Sequence, residues 1–302
     1  MDQFLALRAF IRIAESGNFS KAGDLMNIPK PSVTRLIQEL EAHLGVKLLQ
    51  RTTRRVTLTA EGVAYYERAI QLIENLNEMD ALAASAVSKP KGRLRVDIGS
   101  SHANFFLIPA LPGFRSRYPD VQLDLGVSDR PMDLIGEGLD CVIRGGALPN
   151  SSLVTRRIAS LEFVTCASPA YIRQYGRPDH PNDIKNGHVA IHYFSSLTGR
   201  YFPMCFHRED EAIEVALPTA ISVNESTAHV TGLLAGLGLG QTFQYIAKPY
   251  IESGALIPLL TDWTRPAYDL NILYPSTRHV SARLRAFVDW TVEIFRPYSS
   301  AP

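Results

Sequence analysis

The sequence has few cysteines and no long apolar run. Three cysteines occur among 302 residues, and their spacing matches no metal site. Isolated thiols of this kind are typical of a reducing compartment. No apolar stretch approaches the about 18 residues that suggest a membrane-spanning helix. The acidic start, Met1-Asp2, is unlike the basic start of a secretion signal. The sequence therefore predicts a cytoplasmic protein with no membrane partner, no metal and no other cofactor.

The net charge is also small, but the charges are unevenly distributed. Lys plus Arg number 31 and Asp plus Glu number 30, which gives a net charge of +1. Residues 1–60 hold nine basic and five acidic residues, so the rest of the chain is net negative. A basic N-terminal module on a mildly acidic body indicates that the N-terminal end binds an anion.

The first 44 residues have the apolar spacing of short helices. A first helix ends near Ser16, Ser20 can cap a second helix, and Pro31 lies in the first turn of a third. The third helix has an apolar stripe formed by Val33, Leu36, Ile37, Leu40 and Leu44. Its opposite face carries Pro31, Thr34, Arg35 and Gln38. This pattern predicts a helix-turn-helix formed by the second and third helices of the chain. The third helix is then the one that enters the major groove of DNA.

A basic hairpin is predicted directly after the third helix. Two β-prone segments, 46–50 and 56–59, flank a tip that is rich in arginine. Arginines at such a tip can contact phosphates or enter the minor groove. The predicted DNA-binding residues are Lys30, Pro31, Ser32, Thr34, Arg35, Gln38, Arg51, Arg54 and Arg55.

Several short motifs follow one another in a fixed order over the first 65 residues. They are Phe19-Ser20-Lys21-Ala22, Pro31-Ser32-Val33-Thr34-Arg35-Leu36-Ile37, Arg51-Thr52-Thr53-Arg54 and Leu58-Thr59-Ala60-Glu61-Gly62. In order and spacing they resemble the N-terminus of LysR-type transcriptional regulators. Two positions depart from the family pattern: Pro29-Lys30 replaces the common Ser-Gln, and Gln50 replaces a frequent Phe. The resemblance implies a linker helix that pairs two DNA-binding modules.

The segment from residue 60 to residue 88 has the pattern of a long helix that pairs with a second copy. A heptad seam is formed by Ala69, Leu72, Leu76, Met79 and Ala83. The polar, kinked Lys89-Pro90-Lys91-Gly92 is typical of a hinge. The predicted organisation is a DNA-binding domain at 1–59, a dimerisation helix at 60–88, a hinge at 89–92 and an effector-binding domain at 93–302. We expect a homodimer or a homotetramer.

Predicted strands and helices alternate from residue 93 onward, as in α/β domains with parallel strands. Ligands of such domains bind beyond the carboxyl ends of the strands. Polar side chains lie at these positions and beside a later helix: Ser100, Ser101, Ser128, Arg144, Asn224 and Thr242. Hydroxyls, an amide and a guanidinium suit a small anion such as a carboxylate. These six residues are the predicted effector-binding residues.

The same segment resembles the LysR-type effector-binding domain, which is similar to periplasmic binding proteins. The resemblance implies an α/β fold with two subdomains that are joined by crossovers near residues 160 and 268. Subdomain I would comprise about 93–160 and 269–302, and subdomain II about 161–268. The resemblance also implies that Ser100, Ser101, Ser128, Arg144 and Asn224 line the cleft between the subdomains.

Catalysis is not expected from the histidine and serine patterns. None of the eight histidines has HExxH spacing, and the sequence contains no Gly-x-Ser-x-Gly elbow. We expect a transcriptional regulator that binds a pseudo-palindromic site in double-stranded DNA and is modulated by a small-molecule effector. RNA polymerase is a further candidate partner. Two alternatives stay open. One is a regulator that senses pH or redox state, through Cys205 or a histidine; the other is a small-molecule-binding protein or enzyme with an accessory DNA-binding module.

Overall fold

Two compact units make up the chain, residues 1–88 and residues 89–302. The computed structural model describes residues 1–51, 56–83, 89–130, 134, 136–146, 153–196, 198–217, 219–276 and 280–299. The described part of the first unit is mainly helical, and the second unit contains sheets with helices packed against them.

The first unit begins with helices α1 Gln3–Ser16, α2 Phe19–Met26 and α3 Lys30–Leu44. Asp2 caps α1, because its side chain accepts a hydrogen bond from the N–H of Leu5. Asn18 caps α2 in the same way, through the N–H groups of Ser20 and Lys21. The prediction that Ser20 caps α2 is therefore wrong, since Ser20 is the second residue of that helix.

The predicted apolar stripe of α3 forms part of the core of this unit. Val33, Ile37 and Leu40 are at most 1 % exposed, and they belong to the same buried cluster as Phe10 of α1. Burying a side chain of this size contributes about 2 kcal/mol. This packing fixes the rotation of α3 and leaves its opposite face to solvent.

A hairpin and a long helix complete the described part of this unit. They are β1 Leu49–Arg51, β2 Val56–Leu58 and α4 Ala60–Ala83. The strands are antiparallel, with Leu49 opposite Leu58. Residues 52–55 of the predicted tip and residues 84–88 of the predicted linker helix lie outside the described residues.

The buried carboxylate of Glu41 joins α3 to the hairpin. It accepts hydrogen bonds from the N–H groups of Leu48 at 3.0 Å and Leu49 at 3.2 Å. Lys47 Nζ donates a third bond at 2.6 Å. Burial alone would raise the pKa of Glu41, but these three bonds lower the pKa below its usual value. The ionised carboxylate thus fixes the start of the hairpin to the last turns of α3.

The second unit contains a larger set of strands and helices. Its first part has β3 Gly92–Ile98, α5 Ser100–His102, a π-helical turn Ala103–Leu107, α6 Ile108–Arg117, β4 Val121–Val127, β5 Cys141–Gly145 and β6 Leu153–Leu161. Its middle part has β7 Phe163–Ala167, α7 Pro169–Tyr175, a 3-10 turn Pro181–Lys185, β8 Ala190–Tyr193, β9 Met204–Arg208, β10 Glu211–Val215, β11 Thr219–Val223, α8 Ser226–Leu234, β12 Gly240–Phe243, α9 Gln244–Glu252 and β13 Ile257–Leu259. The last elements are β14 Tyr268–Pro275, α10 Ala282–Phe295 and a 3-10 turn Arg296–Tyr298.

These elements form two subdomains on separate sheets. The sheet of subdomain I has the strand order β4-β3-β5-β14-β6, with β3 parallel to β4 and β5. In subdomain II, β7 lies between β12 and β13, and β8 pairs with β11 in parallel. The chain passes between the sheets after β6 and again before β14. Strand β14 is antiparallel to β5 and β6, because it enters its sheet from the opposite subdomain.

Two elements of subdomain I differ from the sequence-based expectation. The pattern predicts a helix from about residue 105 to residue 118, whereas helical backbone begins at Ser100 and ends at Arg117. Its first N–H is bonded to Asp129, a residue outside the local sequence window. Strand β6 is not predicted either. It lies at the edge of its sheet with residues 154–157 exposed, so it lacks a clear apolar alternation.

Candidate DNA-binding face and effector cavity

Most of the predicted DNA-binding residues of α3 share its exposed face. Lys30, Pro31, Ser32, Arg35 and Gln38 are exposed, and Thr34 beside them is half-buried. Because the buried stripe fixes the rotation of the helix, these side chains form one continuous polar surface. Short hydrogen-bonding side chains and a guanidinium are the groups that read base edges in the major groove.

Arg35 is oriented by a neighbour that the sequence analysis did not assign. Its Nε donates to Glu39 Oε1 at 2.8 Å, and the Arg35 side chain is 80 % exposed. One of five N–H donors is used in this way, so the guanidinium keeps donors for a nucleic-acid acceptor. The four-residue spacing of Arg35 and Glu39 was the signal that could have identified the pair.

The predicted wing arginines are described only in part. Arg51 is the last residue of β1. Arg54 and Arg55 lie outside the described residues.

The predicted dimerisation residues on α4 differ in exposure. Ala69 is only 3 % exposed and packs in the core of its own unit, so it offers little surface to a second helix. Leu72 and Met79, seven residues apart, are 48 % and 59 % exposed. Leu76 between them is half-buried, and Ala83 is the last residue of α4. The exposed apolar side chains at the predicted seam positions of α4 therefore lie in its C-terminal half.

A cavity of about 360 Å³ lies between the two subdomains of the second unit. This volume is within the range of about 300–1,000 Å³ that is usual for small-molecule sites. Subdomain II supplies most of the apolar wall, through Phe163, Ile191, Phe202, Pro203, Met204 and Phe243. The polar lining includes Asp129 and Arg144 from subdomain I, and His192, Thr242 and Arg265 from the opposite side. The cavity can therefore hold a ligand with both apolar and charged parts.

The carboxylate of Asp129 bridges the two subdomains at this cavity. On the side of subdomain I, Asp129 Oδ1 accepts a hydrogen bond from the N–H of Ser100 at 2.7 Å. On the side of subdomain II, Oδ2 accepts bonds from the N–H of Ser226 at 3.0 Å, from its Oγ at 3.2 Å and from the Tyr193 hydroxyl at 3.1 Å. Ser226 is the first residue of α8, where helix N–H groups favour a negative charge. One side chain thus satisfies donors of both subdomains.

The three predicted effector-binding serines form hydrogen bonds with other groups of the protein. The N–H of Ser100 is bonded to Asp129, and Ser101 Oγ accepts a hydrogen bond from the Tyr245 hydroxyl at 2.8 Å. Ser128 Oγ accepts a bond from the N–H of Arg130 at 3.2 Å. Ser100, Ser101 and Ser128 do not contribute to the lining of the cavity. Asn224 is half-buried and is not part of the lining either.

Two of the predicted effector-binding residues, Thr242 and Arg144, line the cavity. Thr242 is buried on β12, whereas Arg144 on β5 already has a carboxylate partner. Arg144 Nη2 donates to Asp97 and, at 2.8 Å, to the carbonyl oxygen of Ser128. Burial raises the pKa of Asp97, although the Arg144 charge opposes this shift. Arg144 therefore holds the ends of β3, β4 and β5 together with its charge largely neutralised.

The polar lining residues that sequence reasoning did not assign include Asp129, His192 and Arg265. Asp129 directly follows the predicted strand ending at Ser128, so the strand-end rule could have included it. His192 is 4 % exposed, and its Nε2 has no hydrogen-bond partner among the described residues. Arg265 lies between β13 and β14, in a stretch without periodicity, and no sequence signal marked it.

Burial keeps several titratable groups of the second unit uncharged at neutral pH. It lowers the pKa of His102 to about 4 and raises the pKa of Cys166 to about 12. Burial also raises the pKa values of Cys141 and Cys205. Since the thiolate is the reactive form, these shifts do not favour Cys205 as a redox sensor.

The described parts of the chain show neither a membrane-spanning helix nor a metal-binding cluster. No helix there is long and apolar enough to cross a membrane. The same residues contain no cluster of three or more His, Cys, Asp or Glu side chains that could hold a metal ion.

A winged helix-turn-helix followed by a two-subdomain α/β domain with a cavity defines a DNA-binding regulator with an effector-binding domain. Residues 4–63 match the bacterial regulatory helix-turn-helix proteins of the lysR family, and residues 88–296 match the LysR substrate binding domain. The chain belongs to the family of LysR-type transcriptional regulators. It is a DNA-binding transcriptional regulator modulated by an effector, and it is not an enzyme.

Relatives and a solved structure agree with this assignment. The uncharacterized HTH-type transcriptional regulator YhjC of Escherichia coli (strain K12) is 37 % identical over 307 residues, covering 99 % of each chain. An HTH-type transcriptional repressor of Pseudomonas aeruginosa (strain UCBPP-PA14) is 34 % identical over 295 residues, covering 98 % of this chain and 93 % of the relative. The structure of CrgA, a LysR-type transcriptional regulator from Neisseria meningitidis, aligns with a TM-score of 0.62 at 28 % identity, covering 96 % and 98 % of the two chains. The family assignment does not favour the pH-sensing or redox-sensing alternative.

Removing the Asp129 carboxylate should destabilise the second unit. Asp129→Ala leaves the Ser100 and Ser226 N–H groups without their acceptor, which should lower the free energy of unfolding by about 2 kcal/mol. Urea unfolding of the full chain, followed by tryptophan fluorescence, measures this change, because the two tryptophans, Trp263 and Trp290, both lie in the second unit.

Asp124→Ala is the matched control, since Asp124 lies on β4 and forms a partly exposed ion pair with Arg93. Pairs of this kind contribute about 0–1 kcal/mol. An Asp129→Ala variant that loses no more stability than Asp124→Ala would contradict the bridging role.

Proposed function

We propose that this chain is a homodimeric or homotetrameric regulator that reads a pseudo-palindromic DNA site and changes its DNA binding when a small anion occupies the cavity. The observation that carries the DNA-binding part is the exposed polar face of α3, which lies opposite the buried side chains of Val33, Ile37 and Leu40. In this proposal the chain acts in the cytoplasm, and RNA polymerase at the regulated promoter is a further partner.

The proposed DNA contacts have two kinds. Lys30, Ser32, Thr34, Arg35 and Gln38 on α3 would contact base edges or adjacent phosphates, with Pro31 packed against the groove. The wing residues Arg51, Arg54 and Arg55 would contact phosphate or enter the minor groove. In this arrangement α3 provides the sequence preference and the wing provides affinity.

The proposed dimer pairs the α4 helices of two copies, with Leu72, Leu76, Met79 and Ala83 in the seam. Two paired helices place two reading modules on one duplex, and a two-fold protein then selects a two-fold site. The proposed boundaries are a DNA-binding domain at 1–59, a linker helix at 60–88, a hinge at 89–92 and an effector-binding domain at 93–302.

The proposed effector site is the cavity beside Thr242 and Arg144. A ligand there would touch both subdomains and favour one arrangement of them over another. It can shift DNA binding only by its difference in affinity for the two arrangements. Ser100, Ser101 and Ser128 would act around the ligand by positioning Asp129, Tyr245 and Arg144.

Arg35→Ala should reduce discrimination between specific and random DNA by about 1–3 kcal/mol, because one base-reading guanidinium is lost. Fluorescence anisotropy measures the affinity of each variant for two duplexes at one fixed salt concentration. One duplex is selected for binding by the parent protein, and the other has a random sequence. Arg12→Ala is the matched control, since Arg12 pairs with Glu15 at 2.9 Å on α1. If Arg35→Ala discriminates between specific and random DNA as well as the parent does, Arg35 does not contact base edges.

Met79→Asp should dissociate the dimer, because the substitution places a charge in an apolar seam. Sedimentation velocity at micromolar concentration reports the change in mass. Val63→Asp is the matched control: Val63 is 48 % exposed on the same helix but lies outside the heptad seam. If Met79→Asp sediments with the mass of the parent, α4 does not hold the copies together.

Thr242→Phe should abolish the response of DNA binding to a ligand, because a phenyl group fills part of the cavity. The ligands come from a thermal-shift screen of small carboxylates, and the readout is their effect on DNA affinity. Thr231→Phe, on the exposed side of α8, is the control for an added phenyl group. A ligand that acts equally on the parent and on Thr242→Phe binds elsewhere.

A further inference from the structure

We propose that the effector is a small monocarboxylate with a flat apolar body, whose carboxylate binds Arg265 and whose polar substituent meets His192. This inference rests on the proposed function, in which the cavity holds the effector. The sequence pattern predicts an anion at the strand ends of subdomain I, whereas in this inference the anion lies at Arg265, in the connection between β13 and β14.

Arg265 is a cavity-lining cation whose charge is not balanced by a carboxylate among the described residues. Among the described residues it forms no ion pair, and its Nη1 donates only a long hydrogen bond to Gln241 Oε1, at 3.5 Å. Its guanidinium lies 4.1 Å from the centre of the Phe163 ring, half-buried in the cavity wall. A guanidinium has five N–H donors and stays charged in proteins. Arg265 therefore has donors and charge for a carboxylate.

Gln241 lies beside Arg265 and is itself held by the backbone. Its Nε2 donates to the carbonyl oxygen of Cys205 at 2.8 Å, and its Oε1 accepts from the N–H of Cys205 at 3.1 Å. Because both ends of this amide are fixed to backbone, the acceptor that meets Arg265 has a defined position. Preorganisation of this kind strengthens the binding of a charged ligand.

Two other arginines of this unit have their charge balanced by a carboxylate. Arg208 lies 4.2 Å from the centre of the Trp263 ring and pairs with Glu211 at 3.5 Å. Arg144, in the same cavity, pairs with Asp97. Arg265 has the aromatic contact of Arg208 without a carboxylate, which is the arrangement expected of a ligand-binding arginine.

Asp129 excludes a ligand carboxylate from the strand ends. The donors there, the N–H groups of Ser100 and Ser226 and the Tyr193 hydroxyl, already bond to Asp129. A second anion beside Asp129 would be repelled and would lack donors. The cavity therefore favours an anion at Arg265 and disfavours one at Asp129.

The aromatic wall favours a flat ligand body. The rings of Phe163 and Phe243 stack with centres 4.6 Å apart, and Phe243 also contacts the Tyr268 ring at 5.3 Å. A cavity of about 150 Å³ is enough for benzene, and this cavity has about 360 Å³. One ring with a carboxylate and one further substituent would fit.

His192 indicates the second polar group of the ligand. Its ring is 4 % exposed and lines the cavity, while its Nε2 lacks a hydrogen-bond partner among the described residues. An unsatisfied buried polar atom is costly. Nε2 itself is enclosed in the cavity wall, so a ligand hydroxyl or carbonyl would satisfy it once the imidazole turns toward the ligand. A hydroxylated acid should then bind more tightly than the unsubstituted acid.

The test compares acids with their uncharged amides: benzoate with benzamide, and phenylacetate with phenylacetamide. Calorimetry on the full chain should show each acid binding at least about tenfold tighter than its amide, as one charge-assisted contact predicts. In Arg265→Gln the acid should lose this preference while the amide binds as before. Arg208→Gln is the matched control and should keep the preference.

The hydroxybenzoates test His192. At least one of the three isomers should bind the parent more tightly than benzoate does, and His192→Phe should abolish this gain while benzoate affinity stays within about twofold. Equal gains in the parent and in His192→Phe would overturn the role of His192.

The outcomes separate this inference from the proposed function. Amides that bind the parent as tightly as the acids, or an acid preference that survives Arg265→Gln, would overturn the ligand class and leave a ligand-binding cavity. Binding of neither member of either pair would also overturn the ligand class. The proposed function is decided separately, by the effect of Thr242→Phe on the response of DNA binding.

Discussion

The bridge made by Asp129 is the interaction on which the arrangement of the effector-binding domain depends. One carboxylate accepts a hydrogen bond from the first helical residue of subdomain I and three from groups of subdomain II. The N–H groups of Ser100 and Ser226 lie at helix N-termini and would otherwise need a ligand or water as acceptor. The subdomains therefore meet around a charge that the chain itself supplies, and this charge determines where another anion can lie.

The balance of charge in the cavity follows from this bridge. Asp129 is satisfied by neutral donors, and the charge of Arg144 is balanced by Asp97 at the ends of the neighbouring strands. Arg265 is left as a cavity cation without an ion pair among the described residues. The cavity thus combines a satisfied acid, a neutralised arginine and an unbalanced arginine beside aromatic rings. A site of this composition prefers a ligand with one negative charge and an apolar body.

The sequence predicted the DNA-binding module more closely than the effector cavity, for a physical reason. The stripe of Val33, Ile37 and Leu40 is local, so its period alone determines which face of α3 is buried. The contacts of Ser100 and Arg265 depend on residues far away along the chain, which periodicity does not record. Strand-end reasoning reached the correct edge of the sheet and the lining residue Arg144, and the polar stretch after a predicted helix supplied Thr242. Neither could show that Asp129 occupies the donors of Ser100 and Ser226.

The position of Arg265 also suggests how ligand binding could reach the rest of the domain. Arg265 lies three residues before β14, in the second of the two connections between the subdomains. A carboxylate bound there would act on the connection itself as well as on the cavity walls. The Asp129 bridge already favours one arrangement of the subdomains without a ligand. A ligand changes that preference only to the extent that its contacts with Arg265 and His192 differ between arrangements. The Asp129 bridge and the ligand thus both affect the equilibrium between arrangements of the two subdomains.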